Sequence, residues 1–256
     1  MGHVVTHMRV VAALLIREME ARFGSKPGGY VWALLDPAAH VLVLSIVFQT
    51  IARAPALGVS FPLFFATGYI AFQFYQAMVS YLNGAIRANK SLLSYPNVAP
   101  IDTIVARYFL QLGTTAMVGI VVLGIIIAWM REPGQVSWPP ILEAALAGSM
   151  MGLGIGLINT VMFVKYPLYE KVFSIVSKPM YLISGIFFLP DAIPHPYREI
   201  VLLNPLVHVV MLFRTGFYDE YRAINLDMSY AHTFAFLTLF FGMLLFSASS
   251  TLLRNE

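Results

Sequence analysis

The residues best suited to binding chemistry lie in an uncharged, aromatic-rich stretch between residues 61 and 82. At helical spacing, Tyr69, Phe72 and Gln76 can share one face of a helix. Because a tyrosine side chain has an apolar ring face and a polar tip, such a face suits a track along which sugar rings move. The alternative is that these rings face lipid or pack in the protein core. We predict that Tyr69, Phe72 and Gln76 line a substrate path.

Motifs for catalysis are absent from the sequence. It contains no glycine-rich phosphate loop, no His-Glu-x-x-His zinc motif and no Gly-x-Ser-x-Gly nucleophile motif. Without cysteine, the chain cannot form disulfides or thiolate metal sites. Asp36 is the only acidic residue inside a predicted span and no internal repeat is evident, which disfavours an ion-coupled secondary transporter. We expect no catalytic residue, no metal site and no cofactor bound by this chain.

Composition indicates the architecture that must position these residues. Of the 256 residues, 59% are hydrophobic and only 11% are charged, compared with roughly 25% charge in an average soluble domain. A spanning helix needs about 20 apolar residues, and charge-poor stretches of that length recur along the chain. Lys178 lies in one of them, where its stem could reach the interface. We predict an all-α polytopic membrane protein whose six transmembrane helices lie within residues 30–51, 54–86, 108–130, 144–164, 172–190 and 229–253.

The distribution of positive charge predicts the orientation of the chain. Counting Lys and Arg across six spans places 11 on the side of the N-terminus and 5 on the opposite side. Since the cytoplasmic side normally carries the excess, both termini are predicted to be cytoplasmic. The same asymmetry accounts for the net charge of +3, so no nucleic-acid partner is expected.

Two predicted cytoplasmic segments adjoin the first two spans. In residues 8–23, apolar side chains recur among charged ones at helical spacing, which predicts an amphipathic helix at the membrane interface. Residues 84–102 form a loop with an apolar group between charges, and exposed apolar residues in so short a loop indicate a partner surface. A solvated connector is the alternative. The predicted docking segment consists of Arg87, Lys90, Leu92, Leu93 and Tyr95.

The second half of the chain carries two further patterns. Gly148, Gly152 and Gly156 form two overlapping G-x-x-x-G units, which predict close packing between helices. Residues 191–228 contain apolar runs too short to cross a bilayer. We predict that they form periplasmic re-entrant helices before the last span, one of them across residues 198–216 with a kink at Pro205.

Several of these segments together resemble one family. The chain is similar to the capsular polysaccharide export permeases of the KpsM kind, which are membrane subunits of type-2 ABC transporters. The motifs that carry the resemblance are LLIRE at residues 14–18, RFG at 22–24 and GYVWALLDP at 29–37, with His40 after them. The similarity runs over essentially the whole chain, so residues 1–256 are expected to form one transmembrane domain.

The resemblance implies a permease subunit and not an enzyme. Such a subunit forms a homodimer in the bacterial inner membrane and pairs with two copies of a cytoplasmic ABC ATPase, which binds ATP and Mg²⁺. Together they move a lipid-linked capsular polysaccharide from cytoplasm to periplasm, with a periplasmic co-polymerase and outer-membrane export proteins as further implied partners. By the same similarity, the docking segment is a coupling helix that enters the ATPase cleft. The alternatives are export of O-antigen, teichoic acid or a small molecule, and a membrane enzyme acting on lipid-linked sugars.

The implied function extends the set of expected path residues. Aromatic rings are expected to stack on sugars, and cations at the cytoplasmic mouth to attract an anionic polymer. For the cations, the alternative is the ordinary enrichment of positive charge on the cytoplasmic side. The bent segment before the first span is expected to act as a lever that couples ATPase closure to that span. The expected path residues are Arg17, Arg22, Lys26, Trp32, Tyr69, Phe72 and Gln76.

Overall fold

The computed structural model describes residues 2–24, 28–95, 98–131 and 134–255, and every regular element in these ranges is helical. The predicted all-α class is therefore confirmed. A π-helical turn, Glu20–Gly24, follows the first helix, and a 3₁₀ turn, Pro190–Ala192, follows the eighth. The α-helices are α1 (Gly2–Met19), α2 (Gly29–Ile51), α3 (Phe61–Asn83), α4 (Ala85–Ala88), α5 (Lys90–Leu93), α6 (Pro100–Trp129), α7 (Trp138–Lys165), α8 (Pro167–Ile183), α9 (Tyr197–Leu202), α10 (Pro205–Thr215), α11 (Met228–Ala248) and α12 (Ser250–Asn255).

Among the described residues, four helices are long and apolar enough to cross a membrane: α2, α6, α7 and α11. They match the first, third, fourth and sixth predicted spans. The second predicted span forms α3, which has 23 residues and no charge, but its glutamine and tyrosine side chains lower its mean hydropathy below that of the other four. The fifth forms α8, whose 17 residues end at Ile183 and do not continue to residue 190. Spanning by α3 and α8 stays a prediction.

Helix α3 lies at the centre of the bundle, and α7 packs closely against it. A Cβ atom added at Gly152 would lie 2.8 Å from Cβ of Met78, and one added at Gly156 would lie 2.8 Å from Cβ of Leu82. At Gly148 the corresponding distance to α3 is 3.4 Å. Since no larger residue fits at the two closest points, the G-x-x-x-G units are confirmed as helix-packing motifs.

The chain bends between α1 and α2. The π-helical turn ends α1, and Gly28 caps the start of α2 with φ of 72°, a conformation that favours glycine. Across the bend, the Phe23 and Tyr30 rings stack with centroids 4.2 Å apart. Helix α1 also packs along α6. The bend and this packing together fix the position of α1 relative to α2 and α6. Its position at a membrane surface stays a prediction.

The predicted kinked helix over residues 198–216 is wrong in detail, because the structure has two helices there. Helix α9 ends at Leu202, and α10 begins anew at Pro205. The Asn204 side chain accepts a hydrogen bond from the Leu206 amide at 3.1 Å, and proline follows at the first helical position. An asparagine cap followed by proline is a helix start and not a kink.

A buried arginine closes the turn that follows α8. Arg214 of α10 is fully buried, and its guanidinium donates hydrogen bonds to the carbonyl oxygens of Gly185 at 2.7 Å and Ile186 at 2.9 Å. It also lies 4.1 Å from the centroid of the Phe64 ring. Because these carbonyls lie beyond the end of α8, they would otherwise lack donors. Arg214 therefore stabilises the end of α8.

Helices α2 and α8 are packed only loosely within the single chain. Of α2, only Val41 and Ser45 are buried, and no residue of α8 is buried in the described structure. Much of their exposed surface is apolar, as at Leu42 and Ile175. Surface of this kind contacts lipid or another helix. The predicted homodimer is not tested by the single chain, but these two faces are available for it.

Candidate functional site

Side chains of α3 and α8, with His40 of α2 and Phe163 of α7, line a cleft with a volume of about 640 Å³, here called the α3–α8 groove. The α3 side chains recur every three or four residues, as expected for one face of a helix. They extend from Tyr69 to Asn83, which is roughly 21 Å at a rise of 1.5 Å per residue. The lining residues of α3 are Tyr69, Phe72, Gln73, Gln76, Ser80 and Asn83, and those of α8 are Glu170, Phe173, Ser174, Ser177, Lys178 and Tyr181.

The structure brings three predicted path residues, Tyr69, Phe72 and Gln76, together in the α3–α8 groove. The rings of Tyr69 and Phe72 are mostly buried in the core, while Gln76 is half-buried. Tyr69 and Phe72 therefore both line the groove and pack in the core. Their predicted role in binding a substrate stays a prediction.

Histidine and tyrosine side chains are held against one another at the Tyr69 end of the α3–α8 groove. His40 stacks on Tyr69 with ring centroids 4.4 Å apart and hydrogen bonds to the hydroxyl of Tyr181. The amide of Gln73 donates to the Tyr69 hydroxyl at 2.5 Å. The edge of Tyr181 meets Phe72 at a centroid distance of 5.6 Å. Helices α2, α3 and α8 are thus connected through one aromatic cluster that presents rings and amides to the same cleft.

Trp32 does not lie in this groove. It lines a smaller cleft of about 180 Å³ between α2, α3 and α6, together with Asp36. Tyr69 and Gln73 line both clefts, so they lie between the two. Trp32 is 60% exposed at the surface of α2. The structure therefore separates Trp32 from Phe72 and Gln76, although all were expected on one path.

Two of the cations expected at the cytoplasmic mouth of the path, Arg17 and Arg22, form hydrogen bonds with neutral partners. Arg17 donates to the Asn89 side-chain oxygen at 2.7 Å, and Arg22 donates to that of Gln111 at 2.7 Å. Arg22 also lies 4.4 Å from the centroid of the Tyr81 ring, and burial lowers the pKa of its guanidinium, which remains protonated. Amide partners leave the positive charges uncancelled, but both side chains are fixed in the protein. Lys26 lies outside the described residues.

A buried polar cluster, here called the α1 anchor, is a feature that the sequence did not predict. Its members are Glu18, Tyr81, Asn89 and Arg107. The Glu18 carboxylate accepts hydrogen bonds from Arg107 Nε at 2.8 Å, Asn89 Nδ2 at 2.6 Å and the Tyr81 hydroxyl at 2.8 Å. The side chains of Glu18 and Arg107 are only 9% and 7% exposed. This cluster joins α1 to α3, to the turn between α4 and α5, and to α6.

The electrostatics of the α1 anchor favour a charged Glu18. Burial raises the pKa of its carboxyl, but the hydrogen bonds from Arg107 and Asn89 and the charge of Arg107 outweigh this, so the pKa lies below its usual value. No local signal could have revealed the cluster, because 89 residues separate Glu18 from Arg107. Periodicity identifies the face of a helix but not its partner.

The predicted docking segment divides into an outer and an inner face. Arg87, Lys90 and Tyr95 are exposed, as predicted. The expectation that Leu93 is exposed is wrong, because it is only 1% exposed and packs in a cluster with Leu253 of α12. Leu92 is half-buried. The residues that could meet a partner are therefore mainly Arg87, Lys90 and Tyr95.

An ion pair connects the docking segment to the α3–α8 groove. Arg87 lies 3.2 Å from the carboxylate of Glu170, and both side chains are exposed, by 57% and 42%. Glu170 belongs to the first turn of α8 and lines the groove. Exposed pairs of this kind contribute at most about 1 kcal/mol, so the contact can break and re-form readily.

Comparison with known proteins identifies the family. The sequence matches the model of the ABC-2 type transporter family over residues 9–218. It is 38% identical over 240 residues to the polysialic acid transport protein KpsM of Escherichia coli, covering 92% of each chain. It is 31% identical over 214 residues to the capsule polysaccharide export inner-membrane protein CtrC of Neisseria meningitidis serogroup A, covering 83% of this chain and 80% of that protein. The O-antigen export system permease protein RfbA of Klebsiella pneumoniae is 23% identical over 240 residues, covering 88% of each chain. The chain therefore belongs to the ABC-2 type transporter family, in the group that contains the capsule polysaccharide export permeases.

Proposed function

We propose that this chain is the membrane subunit of an ATP-driven exporter that moves lipid-linked capsular polysaccharide from cytoplasm to periplasm. The observation that carries the proposal is the α3–α8 groove. It combines aromatic rings, which stack on sugar faces, with amide and hydroxyl groups, which hydrogen bond to sugar hydroxyls. The similarity to KpsM and CtrC, which exceeds that to RfbA, favours capsular polysaccharide over O-antigen.

In the proposed assembly, two copies of the chain form the path, and each binds one copy of a cytoplasmic ATPase that holds ATP and Mg²⁺. The chain has no phosphate-binding loop of its own, which is why the nucleotide is assigned to a partner. Helices α3 and α8 complete six spans, both termini are cytoplasmic, and residues 191–228 are re-entrant on the periplasmic side. There they would meet the periplasmic co-polymerase and outer-membrane export proteins. The exposed apolar faces of α2 and α8 support a dimer contact.

The proposed coupling route begins in the docking segment. Asn89, next to Lys90, is bonded to Glu18 of α1, and Arg87 is paired with Glu170 of α8. A movement imposed on the segment by the ATPase would therefore reach α1 through the α1 anchor and α8 through the ion pair. Beyond α1, the stacked pair of Phe23 and Tyr30 leads into α2. This arrangement supports the lever role predicted for the bend.

The proposal is tested by replacing a groove residue in cells that contain this chain and display surface polysaccharide. Gln76→Leu removes a hydrogen-bonding amide from the α3–α8 groove, whereas Phe236→Leu alters an exposed ring on the outside of α11 as a matched control. We expect the Gln76 variant to reduce surface polysaccharide and to raise the cytoplasmic pool, at unchanged chain abundance. If deletion of the whole chain leaves surface polysaccharide intact, the proposed function is wrong.

A further inference from the structure

Lys178 is a charged residue in the second half of α8, beyond the first turns of that helix, which hold Glu170 and Lys171. The α8 residues that line the groove recur at positions 170, 173, 174, 177, 178 and 181, which is one helical face. Apart from Lys171, the rest of α8 is largely apolar, and much of it is exposed, as at Val172 and Ile175. An ionisable residue in such a helix normally faces a polar cavity and marks the path of a ligand. The structure gives Lys178 this orientation.

The charge of Lys178 is not cancelled within the chain. Lys178 forms no hydrogen bond or ion pair with any described residue, and it is the only cation among the described residues that line the groove. The one acidic lining residue, Glu170, lies eight residues away, roughly 12 Å along the helix, and is paired with Arg87. Asp36 lines the other cleft. Lys178 therefore offers a free positive charge to whatever occupies the groove.

The neighbours of Lys178 indicate a sugar acid as the partner of this charge. Ser174 and Ser177 supply hydroxyl groups on the same helix face, and Tyr181 and Phe173 supply rings on both sides along the helix. The two serine hydroxyls donate to the backbone carbonyls of Lys171 and Phe173, so they present acceptor oxygens that suit sugar hydroxyls. A sugar acid would therefore find a cation for its carboxylate, acceptors for its hydroxyls and a stacking surface together. Arg17 and Arg22 are fixed outside this groove by Asn89 and Gln111, so they do not supply the charge here.

We propose that Lys178 is a specificity-determining residue that selects polysaccharides carrying carboxylates over neutral ones. The proposal rests on the exporter function proposed above and adds a residue to it. Lysine suits a path through which a polymer must slide, because its ammonium is a point charge without the bidentate fork by which arginine clamps a carboxylate. Each passing carboxylate can thus pair with Lys178 and leave again.

The test uses the complex of this chain with its ATPase, reconstituted in lipid nanodiscs. ATP hydrolysis is measured against increasing concentrations of the cell's own acidic capsule polymer and of the same polymer after its carboxyls are reduced to alcohols. For Lys178→Gln we expect the half-stimulating concentration of the native polymer to rise about fivefold, as for the loss of a single ion pair, and that of the reduced polymer to stay unchanged. Lys178→Arg should retain most of the selectivity, and Lys171→Gln, which changes an exposed cation outside the groove, should behave like the wild type.

The possible results separate this assignment from the proposed function. The assignment is overturned if Lys178→Gln changes the half-stimulating concentration equally for both polymers or for neither. A residue with a merely structural role would not distinguish a polymer with carboxylates from one without them. Added salt should weaken the response to the native polymer more steeply in the wild type than in Lys178→Gln, which keeps the other cations of the path. Equal salt dependence of the two also overturns the assignment. If the wild-type complex responds to neither polymer, the exporter function itself is refuted, and Lys178 loses its role with it.

Discussion

The α1 anchor permits a stringent prediction, because it is a charged pair out of contact with water. The perturbation is Glu18→Gln, which keeps the shape of the side chain and removes its charge. Arg107 then remains buried, at 7% side-chain exposure, with only neutral partners. Arg107 keeps its hydrogen bond to the carbonyl oxygen of Tyr81 at 2.9 Å. The main interaction that the substitution removes is therefore the ionic one between Arg107 and Glu18.

The magnitude follows from the burial of both charges. Removing one partner of a buried ion pair costs about 3–5 kcal/mol, and glutamine can still accept one hydrogen bond, which places the expected cost near about 3 kcal/mol. For a chain of this size, each 1 kcal/mol lowers the melting temperature by about 2–4 °C. We therefore expect Glu18→Gln to melt about 6–12 °C below the wild type. The double variant Glu18→Leu/Arg107→Met removes both charges, and its loss should be smaller than the sum of the two single losses.

The assay is thermal unfolding of the purified chain in detergent, with the exposed pair as a matched control. Glu170→Gln breaks the ion pair to Arg87, where both side chains are exposed, and should cost less than about 1 kcal/mol. The reasoning is refuted if Glu18→Gln melts no lower than Glu170→Gln. It is refuted equally if the losses of the single variants Glu18→Leu and Arg107→Met simply add in the double variant.

The remaining predictions concern pH, packing and the docking segment. Because the pKa of Glu18 is lowered in the folded chain, the charged carboxylate stabilises the fold fully above the ordinary carboxyl pKa of about 4.3. This stabilisation is lost as the pH falls through the lower folded-state pKa. The melting temperature of the wild type should show this loss, and that of Glu18→Gln should not. Gly152→Ala forces a Cβ to within 2.9 Å of the α3 backbone and should cost about 1–3 kcal/mol in the same assay. Arg214→Met leaves buried carbonyls without donors, at about 1–3 kcal/mol each, and should lower the melting temperature. Leu93→Asp should reduce the abundance of the folded chain, whereas Tyr95→Asp, at an exposed position, should reduce capture of the ATPase at normal abundance; the reverse pattern contradicts the assignment of faces.

Features that depend on local composition were predictable from the sequence. The G-x-x-x-G units mark the side of α7 that meets another helix, because glycine lacks a side chain and so allows two helix backbones to approach closely. Tyr69, Phe72 and Gln76 lie along one groove because helical periodicity fixes their relative directions. Long apolar stretches without charge predicted α2, α6, α7 and α11, since length and hydropathy are properties of the stretch alone.

Features that depend on the neighbouring helix were not predictable. Periodicity places Trp32 on α2 but cannot show that α3 separates it from Phe72. The end of α8 is stabilised by Arg214, which follows the carbonyls that it binds in this turn by 26 to 29 residues. Leu93 looks like an exposed residue in a short loop, but residues of α3, α6, α7, α11 and α12 share its cluster and make it a core residue. In each case the decisive partner is distant in the chain.

The two faces of the docking segment have a mechanical consequence. Leu93 and Asn89 point inward and are buried, while Lys90 and Tyr95 point outward. Because protein interiors are close-packed and transmit displacement with little compression, a push on the outer face cannot be absorbed by a flexible loop. In the coupling route that we propose, the push would reach Glu18 through the Asn89 amide, 2.6 Å away, and so the whole of α1. In that proposal, the burial that removes Leu93 from the docking surface also gives the segment the stiffness to move α1.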